Sequence, residues 1–177
     1  MKFEPLSIPD VKLIHHTLHR DERGELMELF RQSEFVRYCG DFSFVQENLS
    51  RSKQGTLRGL HYQGEQSQGK LVQSLSGTIF DVAVDLRRES PTYGQWVGQL
   101  LSAEEAISLW IPPGFAHGFY VLTEWAHVLY KCTDYYNPED ERTLNWAEPA
   151  LAIVWPLIAD MPLILSDRDR QAPLGLP

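Results

Sequence analysis

Six histidines and a scatter of cations, amides and phenols are the groups in this chain that could do chemistry, because the usual short signatures are missing. There is no G-x-G-x-x-G, no G-x-x-x-x-G-K-[ST], no G-x-S-x-G and no H-E-x-x-H, so dinucleotide, P-loop, serine-hydrolase and zincin chemistry lose support. His15, His16 and His19 lie in a polar segment beside Arg20-Asp21-Glu22-Arg23, where a solvated surface is the plain expectation. His127 sits in an apolar strand-like run and reads as a hydrogen-bonded structural histidine. His61 and His117 remain.

His61 falls in Gly55-Thr56-Leu57-Arg58-Gly59-Leu60-His61-Tyr62-Gln63, where strict alternation sends Arg58 away from His61 unless Gly59 introduces a bulge. His117 closes the string Pro112-Pro113-Gly114-Phe115-Ala116-His117, a turn that delivers an imidazole to the next strand. Two histidines in one barrel could bind a metal, but a transition-metal site normally takes three or four protein ligands. A metal site in a double-sheet barrel wants an H-x-H pair, and the chain supplies His61-Tyr62-Gln63, so a metal-free site is expected. Around these stand Arg23, Glu28, Gln46, Asn48, Arg58, Lys70, Tyr130, Tyr136, Glu141, Arg168 and Asp169. Singly each reads as a surface or turn residue. Together they offer cations for phosphates, amides and carboxylates for a base or sugar, and aromatic faces for stacking, a mixture suited to a nucleotide sugar.

The elements that must position them read as β. Phe44–Ser50, Gly69–Ser76, Thr78–Leu86, Gln95–Ser102, Ala106–Ile111, His117–Leu122 and Trp125–Tyr130 are short and rich in β-branched and aromatic residues, with Gly- and Pro-bearing turns between them. That spacing predicts an antiparallel sandwich or barrel. In Ile79–Leu86, apolar residues at 80, 82, 84 and 86 alternate with acids at 81 and 85, which predicts one inward face. Helical signal is confined to Ser33–Tyr38, with Ser33 as cap, and the Ala103–Ala106 corner. No linker or repeat divides the 177 residues, so a single domain over 1–177 is expected, its N-terminal forty and C-terminal thirty residues packing on the β core or on a partner.

Composition narrows the partners. With 43% hydrophobic residues, a chain this long can build its own core, and a net charge of −8 opposes binding to nucleic acid or anionic membrane. An anionic substrate then needs a local cationic site. The longest nearly apolar run, Leu151 to Ala159, is far short of the roughly 20 residues of a membrane span. The start of the chain has no signal-like apolar core, and Cys39 and Cys132 have no C-x-x-C spacing, so a cytoplasmic protein with two packing thiols is expected.

The strings Asp21-Glu22-Arg23-Gly24, Phe44-Val45-Gln46-Glu47-Asn48-Leu49-Ser50, Leu57-Arg58-Gly59-Leu60-His61-Tyr62-Gln63 and Gln68-Gly69-Lys70-Leu71-Val72 occur in an order that resembles a known family. Phe80-Asp81-Val82-Ala83-Val84-Asp85, Leu109 through Phe119, and Leu129-Tyr130-Lys131 continue the likeness. The chain closely resembles the dTDP-4-dehydrorhamnose 3,5-epimerases across about residues 5–173. The resemblance implies an all-β, cupin-like jelly roll with short terminal helices. It also implies a homodimer without metal or redox cofactor, and a dTDP-4-keto-6-deoxy sugar as substrate. It implies His61 as general base for C3 and C5, Asp169 as the carboxylate behind it, Tyr130 as opposing acid and Lys70 at the C4 oxyanion. It further implies Arg23, Arg58 and Arg168 near the diphosphate, Glu28, Gln46, Asn48, His117 and Glu141 at the nucleotide or sugar, and Phe119 and Tyr136 as aromatic contacts, with Arg23 and Glu28 reaching across the dimer. The chain departs from the family pattern at Glu25-Leu26-Met27, usually aromatic-rich, and at Arg168, commonly lysine. Open alternatives are a single-centre epimerase, a metal-dependent cupin using His61 and His117, and a non-catalytic sugar-nucleotide binder.

Overall fold

Strand-forming runs broken by Gly and Pro satisfy their backbone groups by pairing with each other, and here they pair into two facing sheets. The computed structural model describes residues 1–177, in the order β1 (Lys2–Pro5), β2 (Lys12–His15), β3 (Leu18–Asp21), β4 (Gly24–Met27), α1 (Gln32–Cys39), β5 (Gln46–Lys53), β6 (Leu57–Gln63) and β7 (Lys70–Ser76). Then come β8 (Thr78–Asp85), β9 (Trp96–Ser102), β10 (Ile107–Ile111), β11 (Phe115–Val121), β12 (Trp125–Cys132), β13 (Glu141–Thr143) and α2 (Asp167–Gln171). One sheet runs β1-β2-β10-β7-β12-β5, the other β13-β6-β11-β8-β9, and β3-β4 is a separate hairpin. The seven expected strands are present with ends shifted by a few residues; β6 reads as a strand in advance only around His61, and β1 to β4 and β13 carried too little apolar pattern to be read in advance.

The five-stranded sheet is covered on both faces, the six-stranded sheet on its inner face and on part of its outer one. Between them lies a core drawn from both, including Val72, Leu109 and Val128 of the first and Ile79, Ala83 and Phe119 of the second. The outer face of the second sheet, with Leu57, Leu60, Val82 and Val84, is closed by Leu144, Leu151 and Trp155 of the C-terminal segment. Full burial of each such aliphatic side chain contributes about 1.5–3 kcal/mol, which holds that segment in place without regular structure of its own. Part of the first sheet's outer face is capped by Phe35 of α1, edge-on to Trp110 at 4.8 Å.

This double cover corrects the reading of Ile79–Leu86. The period of two is real, but both faces are buried, and Asp81 and Asp85 are fully buried on the inward face with Ile79 and Ala83. The helix α1 begins at Gln32 with Arg31, which makes no side-chain capping hydrogen bond, at the cap position in place of Ser33, and Phe35 docks the helix on the sheet. Ala103–Ala106 is a turn, not a helix. His16 is buried rather than solvated, its ring held between the Glu28 carbonyl and the Ser108 hydroxyl, and burial pushes it below its ordinary value. His127 is half-buried on β12 and its ring makes no hydrogen bond.

Asp85 ties the β8 end to the following turn, accepting from Arg87 Nε at 2.9 Å, Ser90 Oγ at 2.7 Å and Thr92 Oγ1 at 2.6 Å. Burial is the largest influence and pushes its carboxyl up, yet these bonds together hold it well below the usual carboxylate range. A folded-state value below the unfolded one gives stability that is in place above about pH 4 and is lost as the pH falls. Asp85→Asn is therefore expected to lower stability by about 1.5–3 kcal/mol at neutral pH, with a smaller difference from wild type near pH 3. Thermal unfolding at the two pH values measures it, and an equal deficit at both would contradict the assignment.

Candidate active site

The cavity that gathers the candidate chemistry exists because one strand slips against its neighbour. Between His117↔His61 and Phe119↔Arg58 the pairing of β11 with β6 shifts by one residue. Gly59 permits it: its φ is +116°, and a Cβ there would lie 2.6 Å from Gly118 Cα and 2.7 Å from the His117 carbonyl. The bulge required by the sequence reading is present, and Arg58 and His61 line the same cavity.

That cavity, of about 180 Å³, has two opposed walls. The five-stranded sheet supplies Arg58 and His61 from β6 and His117, Gly118 and Phe119 from β11; the six-stranded sheet supplies Ser50 from β5, Lys70 from β7 and Tyr130 from β12. An imidazole and a phenol thus enter one space from opposite sides. A more open hollow of about 330 Å³ near Thr17, Glu28 and Arg31 holds exposed ion-paired groups and no comparable pair, so size does not decide which is the site.

His61 Nε2 lies 2.6 Å from Asp169 Oδ1, which leaves Nδ1 as the ring nitrogen free for other work. Asp169 comes from α2, over a hundred residues away. The bridge between Thr56 and Ile164 lays the C-terminal segment along the start of β6, and Ser166 caps α2 by accepting from Asp169 N at 3.1 Å. Burial, the largest influence, pushes the Asp169 carboxyl up, but hydrogen bonds from His61, Ser166 and the Gly59 amide outweigh it, so it is held below the usual range and ionised.

The groups facing His61 differ in kind. Tyr130 is held above its ordinary value chiefly by burial, so the phenol keeps its proton at neutral pH and makes no hydrogen bond within the chain. Lys70 is 9% exposed and its ammonium has neither ion pair nor hydrogen bond; burial pushes it down, while Cys132 and Asp81 pull it back. His117 Nε2 lies 2.8 and 3.0 Å from the two oxygens of Asp81, whose carboxyl burial pushes up against the pull of His117 and Lys70. No group of three or more His, Cys, Asp or Glu side chains is arranged to hold a metal ion.

Other expected residues divide. Gln46, Asn48, Tyr136, Glu141 and Arg168 form one string at the cavity's end: Gln46 Nε2 donates to Asn48 Oδ1 at 3.2 Å, Gln46 Oε1 accepts from Tyr136 N at 2.8 Å, and Tyr136 Oη donates to Glu141 at 2.7 Å. Glu141 also pairs with Arg168. Asn48 lies opposite Tyr130 across β5 and β12, and β13, which carries Glu141, runs beside β6, so the string sits on strands next to those that line the cavity, though none of its five residues lines it. Arg23 and Glu28 are not brought there. Arg23 pairs with Asp21 in the β3-β4 hairpin and Glu28 with Arg31, both exposed. Asp81 and Ser50 were missed; Asp81 read as an outward acid of β8, and the only signal against that is its position one strand from His117.

Comparison with known proteins adds relatives of one kind. The family model for dTDP-4-dehydrorhamnose 3,5-epimerase matches residues 5–175. The dTDP-4-dehydrorhamnose 3,5-epimerase of Pseudomonas aeruginosa is 56% identical over 172 residues, covering 97% of this chain and 94% of the relative. The fold matches the crystal structure of the dTDP-6-deoxy-D-glucose-3,5-epimerase from Legionella pneumophila, in complex with dTDP-4-keto-L-rhamnose, with TM-score 0.94 and 49% identity over 98% of this chain and 92% of that one. A 3'-monoepimerase from Streptomyces bikiniensis, in complex with dTDP-quinovose, matches with TM-score 0.89 and 36% identity over 97% of this chain and 86% of that one.

Gly59→Ala tests the backbone device. The added methyl has only backbone to displace, and the positive φ disfavours any L side chain, so a destabilisation of about 2 kcal/mol or more is expected, a Tm lower by roughly 4–8 °C. Circular dichroism melting checks this; an unchanged Tm would mean the slip does not depend on glycine.

Proposed function

The chain belongs to the dTDP-4-dehydrorhamnose 3,5-epimerase family, and we propose how its own residues carry out that family's reaction. It is an isomerase that epimerises C3 and C5 of dTDP-4-dehydro-6-deoxy-D-glucose to give dTDP-4-dehydro-L-rhamnose. The single-centre alternative is not favoured, since identity is 56% to a 3,5-epimerase and 36% to the 3'-monoepimerase.

Inverting a carbon beside a ketone means breaking a C–H bond on one face, parking the electron pair as an enolate on the C4 oxygen, and forming a C–H bond on the other face. Two proton-handling groups are needed on opposite sides. The observation that carries this reading is that His61 and Tyr130 enter one cavity from opposite sheets. His61 takes the proton from C3, and in a second round from C5, and the ionised Asp169 behind it balances the imidazolium so formed. Tyr130 returns a proton to the opposite face; a carboxylate in its place would be ionised at neutral pH and unable to donate. The unpaired Lys70 ammonium meets the C4 oxyanion, an interaction worth several kcal/mol where water is excluded. Nothing in this sequence of proton transfers calls for a metal or redox cofactor.

Binding follows charge and shape. Arg58 gives only its Nε to Ser52 and keeps its terminal nitrogens for phosphate oxygens. Arg168 serves the same end from the rim, while Gln46, Asn48, His117 and Glu141 meet sugar or base and Phe119 and Tyr136 supply aromatic faces. Residues 1–177 act as one domain, in a homodimer. That Arg23 and Glu28 are exposed and do not line their own chain's cavity supports their acting in the partner's site. No helix is long and apolar enough to cross a membrane, and two free cysteines suit a reducing cytoplasm.

Two experiments test this reading. With the keto sugar nucleotide in deuterated water, His61→Ala is expected to abolish deuterium uptake at C3 and C5, while Tyr130→Phe suppresses inversion more than proton loss; product at wild-type levels from the His61 variant would remove it from the base role. For the dimer, Arg23→Ala/Glu28→Ala and His61→Ala proteins should each be nearly inactive alone and regain activity when their subunits are exchanged, because one hybrid site then has every group. Failure of the mixture to gain activity would confine the site to one chain.

A further inference from the structure

β5 turns Gln46, Asn48, Ser50 and Ser52 to the same face, and this polar rail runs along the cavity wall. Three of the four are partnered: Gln46 and Asn48 with each other, and Ser52 with Arg58 Nε at 3.0 Å. Ser50 lines the cavity, yet its Oγ is shielded from water and has no hydrogen-bond partner. The only other buried polar atom without a hydrogen bond, His15 Nε2, at least faces Glu4 at 3.3 Å. Native folds rarely leave a hydroxyl so placed without a reason, and a ligand is one such reason.

We propose that Ser50 is a substrate-contacting residue whose hydroxyl bonds a hydroxyl of the sugar ring. This rests on the reaction argued above. Ser50 stands opposite Val128, two residues along β12 from Tyr130, so it borders the part of the cavity where the ring must lie for proton transfer. The cations there suit anionic oxygens, whereas a neutral hydroxyl can both donate and accept, as a sugar hydroxyl requires. Rotation about one staggered torsion is enough to turn Oγ into the cavity when the ring arrives.

Ser50→Ala separates this from a packing role. Without ligand, the variant should melt at or above the wild-type temperature, since it removes an unbonded buried hydroxyl. Its kcat/KM for the keto sugar nucleotide should fall about tenfold, as loss of one hydrogen bond implies, while inhibition by dTDP, which has no sugar ring beyond the nucleotide, stays within about twofold. An unchanged kcat/KM, or parallel weakening towards substrate and dTDP, would overturn the assignment. Should the wild-type protein itself exchange no deuterium, the reading of the reaction fails, and Ser50 is then judged by calorimetry: a tenfold loss of affinity for the sugar nucleotide with none for dTDP upholds it, and equal affinities refute it.

Discussion

The bond from His61 Nε2 to Asp169 Oδ1 is the contact on which the rest of the architecture depends. A carboxylate with a side chain only 3% exposed is tolerable where hydrogen bonds reach it, and here they come from an imidazole, a serine hydroxyl and a backbone amide. To deliver it, the chain after β13 must cross the outer face of the five-stranded sheet. The apolar contacts of Leu144, Leu151 and Trp155 hold that crossing to the sheet, and Leu57 N donating to the Ile164 carbonyl at 3.0 Å registers it against β6. Packing on the outside of one sheet thereby holds the carboxylate that fixes the proposed base on that sheet.

The same double cover explains how so polar an interior is sustained. Lys70, Asp81, His117 and Asp169 are all buried, and each lowers stability unless paired. Asp81 and His117 answer each other, as do Asp169 and His61. Lys70, Tyr130 and Ser50 do not, and these three sit on the wall opposite the histidines. A fold with apolar contact on both faces of one sheet and on part of the other's outer face can carry those unmatched groups, whereas a sandwich with two wet outer faces has less burial to set against them.

How much of this was legible in advance follows from what period and punctuation encode. Seven strands were readable because β-branched runs ended in Gly or Pro, and His61 stood out because only a bulge at Gly59 could place it with Arg58. The family likeness rested on strings from most of those strands together with Asp21–Gly24 of the β3-β4 hairpin and Leu57–Gln63 of β6. Edge strands such as β1 and β13 carry half-exposed, mixed residues whose pairing depends on the neighbour they meet. His16 looked like surface because its burial is made by Ser108 and the Glu28 carbonyl, both remote in sequence. Asp81 was misjudged for a more general reason: alternation tells that two faces differ, not which faces water, and a sheet whose polar side lines an internal cavity inverts the usual assignment.

That inversion also bears on why one cavity can serve two carbons. C3 and C5 flank the same ketone, so a single cation on the C4 oxygen lowers both barriers, and one base can reach either hydrogen if the ring shifts between rounds. Rigid walls suit this better than mobile loops, because imidazole and phenol must keep opposite approaches while the ring moves. Both stand on strands bonded on each side: β6 lies between β13 and β11, and β12 between β5 and β7. Neither strand that carries the proposed base or acid is an edge. The separation of acid from base is then a property of the distance between two packed sheets, set by Val72, Val128 and Phe119 in the shared core, and changes in that core rather than at the rim should alter how both protons are handled together.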